Sequence, residues 1–262
     1  MAKVRADQLL AERGLFENRT RGAAAIMAGL VYVGEVRVEK AGQQLPPDTQ
    51  FVVRGELNYV SRGGLKLEKA LDSFGVDVAG FTALDAGAST GGFTDCLLQR
   101  GARHVFAVDV GYGQFAWKLR EDSRVTLFER MNVRHLTLET LGQSPDIAVA
   151  DLSFISLKLV LPVFAGLGAG QVVCLIKPQF ECGRELVGKK GVVRDPAVHE
   201  LVLNGFCGYA GDSGYGVKNM TFSPVRGPEG NIEYLARLTR EASENIDISG
   251  LVRAAHDSFS VD

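Results

Sequence analysis

Asp85, Asp109, Asn132, Asp151 and Lys177 each end or closely follow a short apolar run. After Asp85 come Gly87, Gly91 and Gly92, with Ser89 and Thr90 among them and Phe93 opening a stretch of helical period. Three glycines within six positions let a backbone turn tightly beside a ligand. A dinucleotide site spaces its glycines G-x-G-x-x-G and seats a pyrophosphate on a helix N-terminus. Here the spacing is G-x-x-x-G-G, and Asp85 would repel a phosphate. An acid at this point suits a cationic ligand, and S-adenosylmethionine carries an ammonium, a sulfonium and no phosphate. Asp109 follows Asp85 by 24 residues, the usual spacing for a carboxylate that accepts both ribose hydroxyls. The plain alternative is an ordinary tight turn; the pairing of Asp85 with Asp109 favours the nucleoside. The expected cofactor contacts are Asp85, Gly87, Ser89, Thr90, Gly91, Gly92, Phe93, Asp109, Val110, Asn132 and Asp151.

The next two strand ends bear on what accepts the methyl group. Enzymes that methylate an exocyclic amine commonly follow Asn or Asp with two prolines and an aromatic, a slot for a flat base. This chain has Asp151-Leu152-Ser153-Phe154, without the prolines, and its next strand ends in Lys177. A lysine there suits an alcohol, because a hydroxyl is a poor nucleophile until its proton is drawn off or its oxygen is stabilised. Desolvation and a neighbouring cation would make that ammonium more acidic, and Lys66 could be the cation. Lys69, about one turn on, takes its place if the helix is rotated. Plainer readings stand beside these: Lys177 before Pro178 as a solvated strand end, Asp151 as a turn cap, Glu233 as a surface residue.

Apolar runs at 82–85, 104–110, 125–129, 147–151 and 172–176 alternate with helical segments. That pattern predicts an α/β domain with a parallel sheet covered on both faces, and ligands in such sheets collect at the strands' carboxyl ends. Asp195-Pro196 opens another helix, and a further strand covers 217–222. Residues 1–60 read as a separate module: a helix from Ala6 to Gly14, a second from Arg19 to Ala28 capped by Asn18, and a hairpin over 30–38. A boundary stretch over 54–61 leads into a catalytic domain over 61–262. Arg5, Arg13, Arg19 and Arg21 belong to the helical part; on one face they would bind phosphates without reading sequence, and otherwise they are a solvated face. The loop over 181–194 carries Arg184, Lys189, Lys190 and Arg194, either a mobile RNA clamp or a solvated loop.

The 262 residues are 46% hydrophobic and carry a net charge of −2, split as +2 over residues 1–62 and −4 beyond. The four cysteines lack C-x-x-C spacing and the four histidines are scattered, which proposes no metal site or disulfide framework and fits a reducing cytoplasm. No signal peptide is visible. The apolar stretch 159–176 is broken by Pro162, Gly166, Gly168 and Gly170, which argues against a membrane span.

Taken together, S-R-G-G-L-K-L, D-A-G-A-S-T-G-G-F-T-D, V-D-V-G-Y-G-Q, D-L-S-F-I-S-L, I-K-P-Q-F-E and G-N-I-E-Y-L resemble the TlyA family of ribosomal RNA 2′-O-methyltransferases, related in its catalytic part to FtsJ-type enzymes. The N-terminal R-x-D-Q-L-L-x-E-R-G and I-M-A-G-L-V-x-V resemble the RNA-binding fold named after ribosomal protein S4. The resemblance implies a class I, Rossmann-like methyltransferase with a mostly parallel seven-stranded sheet, preceded by a small α+β S4-type domain. It implies a catalytic tetrad of Lys66, Asp151, Lys177 and Glu233, with Lys177 nearest the attacking ribose oxygen, Asp151 and Glu233 holding the lysines, and Lys66 positioning the acceptor. It adds Arg62 to the expected RNA contacts, and it implies ribosomal RNA or a ribosomal subunit as partner, with cytidine as the nucleotide. Two other functions are weighed: methylation of a base nitrogen, and RNA binding beside a vestigial cofactor pocket. The family's hemolysin label suggests a pore former, which would need an apolar span or a basic amphipathic helix that this sequence lacks.

Overall fold

The computed structural model describes residues 3–16, 18–27, 29–55 and 58–260, and it divides into two units, Met1–Gly64 and Leu65–Asp262. In the first, β1 (Val4–Arg5) runs into α1 (Ala6–Glu12), and α2 (Arg19–Met27) packs beside α1. Asn18 caps α2, its Oδ1 accepting the Arg21 N–H at 2.9 Å. β2 (Val31–Val33) and β3 (Val36–Arg37) form an antiparallel hairpin across Gly34 and Glu35. β4 (Gln44–Leu45) pairs with β1, and β5 (Val52–Val53) with β2. Ala6, Leu10, Ala25, Ile26, Val31 and Val38 form this unit's core. Arg5 lies in β1 rather than in the helix expected to carry it. Ala28, the expected end of the second helix, lies outside the described residues, as do Glu56 and Leu57 of the boundary stretch.

Gly63 and Gly64 form the first turn of α3 (Gly63–Phe74) rather than a break before it. Strand and helix then alternate: β6 (Thr82–Ala86), α4 (Gly92–Gln99), β7 (His104–Val108), α5 (Trp117–Arg120), β8 (Val125–Phe128), α6 (Leu138–Leu141), β9 (Ile147–Ala150), α7 (Leu161–Gly166), β10 (Gln171–Ile176), α8 (Pro178–Glu181), α9 (Pro196–Asp212), β11 (Gly216–Phe222), β12 (Tyr234–Thr239) and α10 (Ile248–Phe259). Asp195 caps α9, accepting the Ala197 N–H at 2.9 Å with Pro196 in the first turn. Seven strands form one sheet in the order β11-β12-β10-β9-β6-β7-β8. The five from β8 to β10 are parallel, and β12 is antiparallel to both its neighbours.

Central strands of such a sheet are covered on both sides and read as continuous apolar runs; every residue of β6 and β9 is buried. The chain enters at β6, builds outward through β7 and β8, then returns to lay β9 on the other side of β6. That reversal opens a crevice at the carboxyl ends of β6 and β9, where open α/β sheets bind ligands. The stretch 159–176 splits between α7 and β10, and among the described residues no helix is long and apolar enough to cross a membrane.

Candidate active site

Strand alternation decides which acids face the crevice. Leu84 and Ala86 of β6 enter the main core, so Asp85 points to the opposite face, towards α4. There it is fully buried and accepts the Thr94 hydroxyl at 2.6 Å, while its Oδ1 has no hydrogen-bond partner. Asp85 therefore lies beneath the glycine turn, behind the residues that line the cleft. Burial pushes its carboxyl up to about 7, Asp151 and Asp109 adding to the rise against the Thr94 hydrogen bond. A carboxyl raised above its ordinary 3.8 stabilises the fold fully below that value, and the contribution is lost as pH rises through about 7. Asp85→Asn should thus gain on wild type from about pH 4 to about pH 8, by a few kcal/mol in order of magnitude. Urea midpoints at both pH values measure it, and an equal difference at the two would refute the assignment.

The turn after β6 needs left-handed backbone. Gly87 has φ +85° and Gly91, which caps α4, has φ +95°. A Cβ on Gly87 would stand 2.7 Å from the Asp151 carbonyl oxygen, and one on Gly91 2.4 Å from Leu119. Gly92 and Phe93 begin α4 and are buried, Phe93 as core, so they shape the turn from behind the cleft. Thr90 accepts the Ala116 N–H through its carbonyl at 3.1 Å. The cleft itself, about 560 Å³, is lined by Gly87, Ser89, Asp109, Val110, Asn132 and Asp151 of the expected set, with Gln114, Met131, Leu152, Ser153 and Phe154 among the added walls. Asp109 accepts N–H groups of Ser89 at 2.7 Å and Gly111 at 2.6 Å; Asn132 caps a short turn by accepting the Arg134 N–H at 3.0 Å.

Behind the cleft wall, Asp151 meets three further charged side chains. Ile176 of β10 pairs with Tyr234 of β12, so the next antiparallel position sets Lys177 opposite Glu233, and Asp151 follows the neighbouring β9. Lys66 reaches them from α3: its Nζ is 2.6 Å from Glu233 and 3.8 Å from Asp151, and Lys177 Nζ is 2.6 Å from Asp151. Lys66 and Lys177 are each 6% exposed and Glu233 is fully buried, so these are neither solvated strand ends nor surface residues. Burial works to raise the Asp151 carboxyl, but Lys66 and Lys177 outweigh it and hold it below the usual carboxylate range. Two cations and two carboxylates make the cluster neutral, the condition under which buried charge is tolerated. Lys69 is not part of it; its ammonium lies 4.0 Å from the Phe222 ring centroid.

Sequence reasoning passed over three polar residues. Ser153 accepts from Lys177 at 3.1 Å. Glu181 accepts from Ser156 Oγ at 2.6 Å, Leu157 N at 2.8 Å and Tyr209 OH at 2.9 Å, tying the loop after β9 to α8 and α9. Gln114 donates to Asp109 at 3.0 Å. Ser153 and Glu181 stood inside quoted motifs, but only the fold gives them partners. Among the described residues no group of three or more His, Cys, Asp or Glu side chains is placed to hold a metal.

The expected RNA contacts are dispersed. In the first unit, Arg5 and Arg19 both bind the buried Asp7 carboxylate, at 2.7 and 3.1 Å, and Arg13 donates to the Thr49 and Pro47 carbonyls. Arg21 lies half-exposed on α2, and Arg62 is half-buried ahead of α3. In the second unit Arg184, Lys189 and Lys190 are exposed. Their loop is pinned at its far end by Asn231, which accepts from Val193 N at 3.1 Å and donates to Gly191 O at 2.9 Å, and by His199 at 3.1 Å from the Val193 carbonyl.

Family models place this geometry. Residues 59–240 match the FtsJ-like methyltransferase model and residues 4–51 the S4 domain model. The chain is 52% identical over 240 residues to YqxC of Bacillus subtilis, covering 90% of this chain and 85% of that one. It is 43% identical over 262 residues to the 16S/23S rRNA (cytidine-2′-O)-methyltransferase TlyA of Mycobacterium tuberculosis, covering 98% of each. A solved structure from Streptococcus thermophilus, named as a candidate hemolysin, superposes with a TM-score of 0.78 at 46% identity, covering 99% of this chain and 98% of that one.

Proposed function

The chain belongs to the FtsJ-like methyltransferase family, and from that premise we propose that it transfers a methyl group from S-adenosylmethionine to the 2′-hydroxyl of a cytidine ribose in ribosomal RNA. The observation that carries this is the neutral Lys66, Asp151, Lys177 and Glu233 cluster, whose Asp151 walls the same cleft as Asp109. The residues present fit the cofactor. Asp109 offers its carboxylate to ribose hydroxyls, Val110 and Asn132 flank a flat base, and the bare Gly87 keeps the wall beside Asp151 open.

The cofactor supplies a methyl group made electrophilic by its sulfonium. Lys177 handles the attacking oxygen. An ammonium has three donors; Ser153 takes one and Asp151 stands 2.6 Å away as counter-ion, leaving a donor for the ribose hydroxyl that stabilises negative charge on its oxygen as the hydroxyl proton passes to water in the cleft. Lys66 and Glu233 hold Asp151 and its partner in register, so the oxygen meets the methyl in line, and alignment supplies most of the acceleration. The S4 unit docks the RNA, and the protein acts in the cytoplasm.

Phe154 serves the acceptor base. It is 89% exposed, sits at φ +65°, and its ring lies 5.0 Å from that of Phe180 beside Lys177. An aromatic face held out at a catalytic lysine is a stacking platform for an unpaired base. Phe154→Ala should raise the KM for RNA roughly tenfold or more and leave cofactor affinity unchanged; steady-state kinetics with calorimetry separates the two, and an unchanged KM refutes the role.

The function is tested by transferring labelled methyl to bacterial ribosomal RNA and to subunits, then digesting to nucleosides. Label on ribose supports the proposal. Label on a nucleobase would instead establish an N-methyltransferase. RNA binding without cofactor binding would establish an RNA-binding factor, and cofactor binding without transfer to any of these substrates would point to a missing partner or a subunit-specific substrate.

A further inference from the structure

The Asp109 carboxylate is more heavily engaged than a ribose-binding group should be. Its Oδ2 accepts from Ser89 N at 2.7 Å, and its Oδ1 accepts from Gly111 N at 2.6 Å and from Gln114 Nε2 at 3.0 Å. A carboxylate offers about four acceptor positions, so one remains. A ribose diol brings two O–H donors. Binding both requires that one present donor leave.

The two backbone donors are fixed by the turns that carry them. The following segment is also anchored: Gly113 N donates to Glu129 at 2.7 Å, Glu129 receives Arg120 on both oxygens at 3.0 and 2.7 Å, and Phe115 is buried. Gln114 alone reaches Asp109 through rotatable bonds, and it is exposed. Space for its amide is provided by the bare backbone of Gly111, where a Cβ would lie 2.5 Å from Gln114 Nε2 and 2.9 Å from Asp109 Oδ1.

We propose that the Gln114 amide is a displaceable occupant of the ribose position: it satisfies Asp109 in the empty site and is expelled by the ribose diol, so it sets the affinity for the cofactor. This rests on the reading of Asp109 as the ribose carboxylate. The Gln114 hydrogen bond then counts against binding, whereas a glutamine that contacts the ligand would count in favour.

The test is calorimetric titration of wild type and Gln114→Ala with S-adenosylhomocysteine and with its 2′-deoxyribose analogue. The substitution is on an exposed side chain and removes no packing. The expected result is that Gln114→Ala binds S-adenosylhomocysteine about two- to tenfold more tightly, with a smaller gain for the analogue, whose single remaining hydroxyl can use the free acceptor position. If wild type discriminates against the analogue while Gln114→Ala leaves the affinity for S-adenosylhomocysteine unchanged or weakens it, the displacement idea is overturned and Asp109 keeps its role. If Gln114→Ala, in which two acceptor positions are open, binds both ligands equally, Asp109 is not the ribose carboxylate and the inference falls with it.

Discussion

Lys177→Ala should lower methyl transfer to RNA by roughly 10²- to 10⁴-fold with cofactor affinity little changed and some stability lost. The side chain is 6% exposed and meets Asp151 and Ser153, two residues of the cleft wall. Truncation leaves Asp151 with Lys66 at 3.8 Å, so the carboxylate keeps one cation, but the cluster is left with one cation to two carboxylates. On the proposed assignment, what disappears is the donor for the ribose oxygen. Single-turnover transfer at saturating RNA reads the loss directly, and calorimetry with S-adenosylhomocysteine checks that the cofactor end is intact. Retention of activity to within about tenfold would remove Lys177 from the chemistry.

The largest stability effect is expected at Glu233. It is fully buried, and its Oε2 lies 2.6 Å from Lys66. Replacing one member of such a pair exposes the other to the cost of burial: Glu233→Leu should cost about 3–5 kcal/mol, because Lys66 loses its nearer carboxylate and retains Asp151 at 3.8 Å. Replacing both members with apolar residues removes the stranded charge. Lys66→Met combined with Glu233→Leu should therefore recover most of that loss, and both variants should be inactive. Equilibrium urea unfolding of the two single variants and the double variant gives the coupling. A double variant as unstable as the sum of the singles would show that the pair is not an energetic unit.

Much of the architecture is visible in the residues. Apolar runs ending in Asp85, Asp109, Asp151 and Lys177 mark strands of a two-sided parallel sheet, and the structure has β6, β7, β9 and β10 there in one seven-stranded sheet. Other features depend on orientation, which sequence spacing does not carry. Asp85 and Asp109 look alike as strand-end acids, yet the first turns under α4 and the second lines the cleft, because strand alternation is set relative to a core not yet located. Lys66 and Lys69 are one turn apart, and the rotation of α3 separates an ion pair from a ring contact. The arginines of the first unit read as one basic stripe, but the buried Asp7 and two backbone carbonyls engage three of them. Gln114 closes the quoted motif V-D-V-G-Y-G-Q, but its role comes from a hydrogen bond across a loop that the motif does not show.

The position of β12 has a consequence for biosynthesis. It fits between β10 and β11, and the residue just before it, Glu233, meets Lys66 across 167 positions of sequence. A chain emerging from the ribosome builds the five parallel strands first and carries β10 as an open edge until the last hairpin arrives, the kind of edge that pairs with foreign strands. The same event closes that edge and delivers the carboxylate. A chain cut short before residue 233 would thus lack both the seal and the carboxylate, and on the proposed assignment it would not methylate.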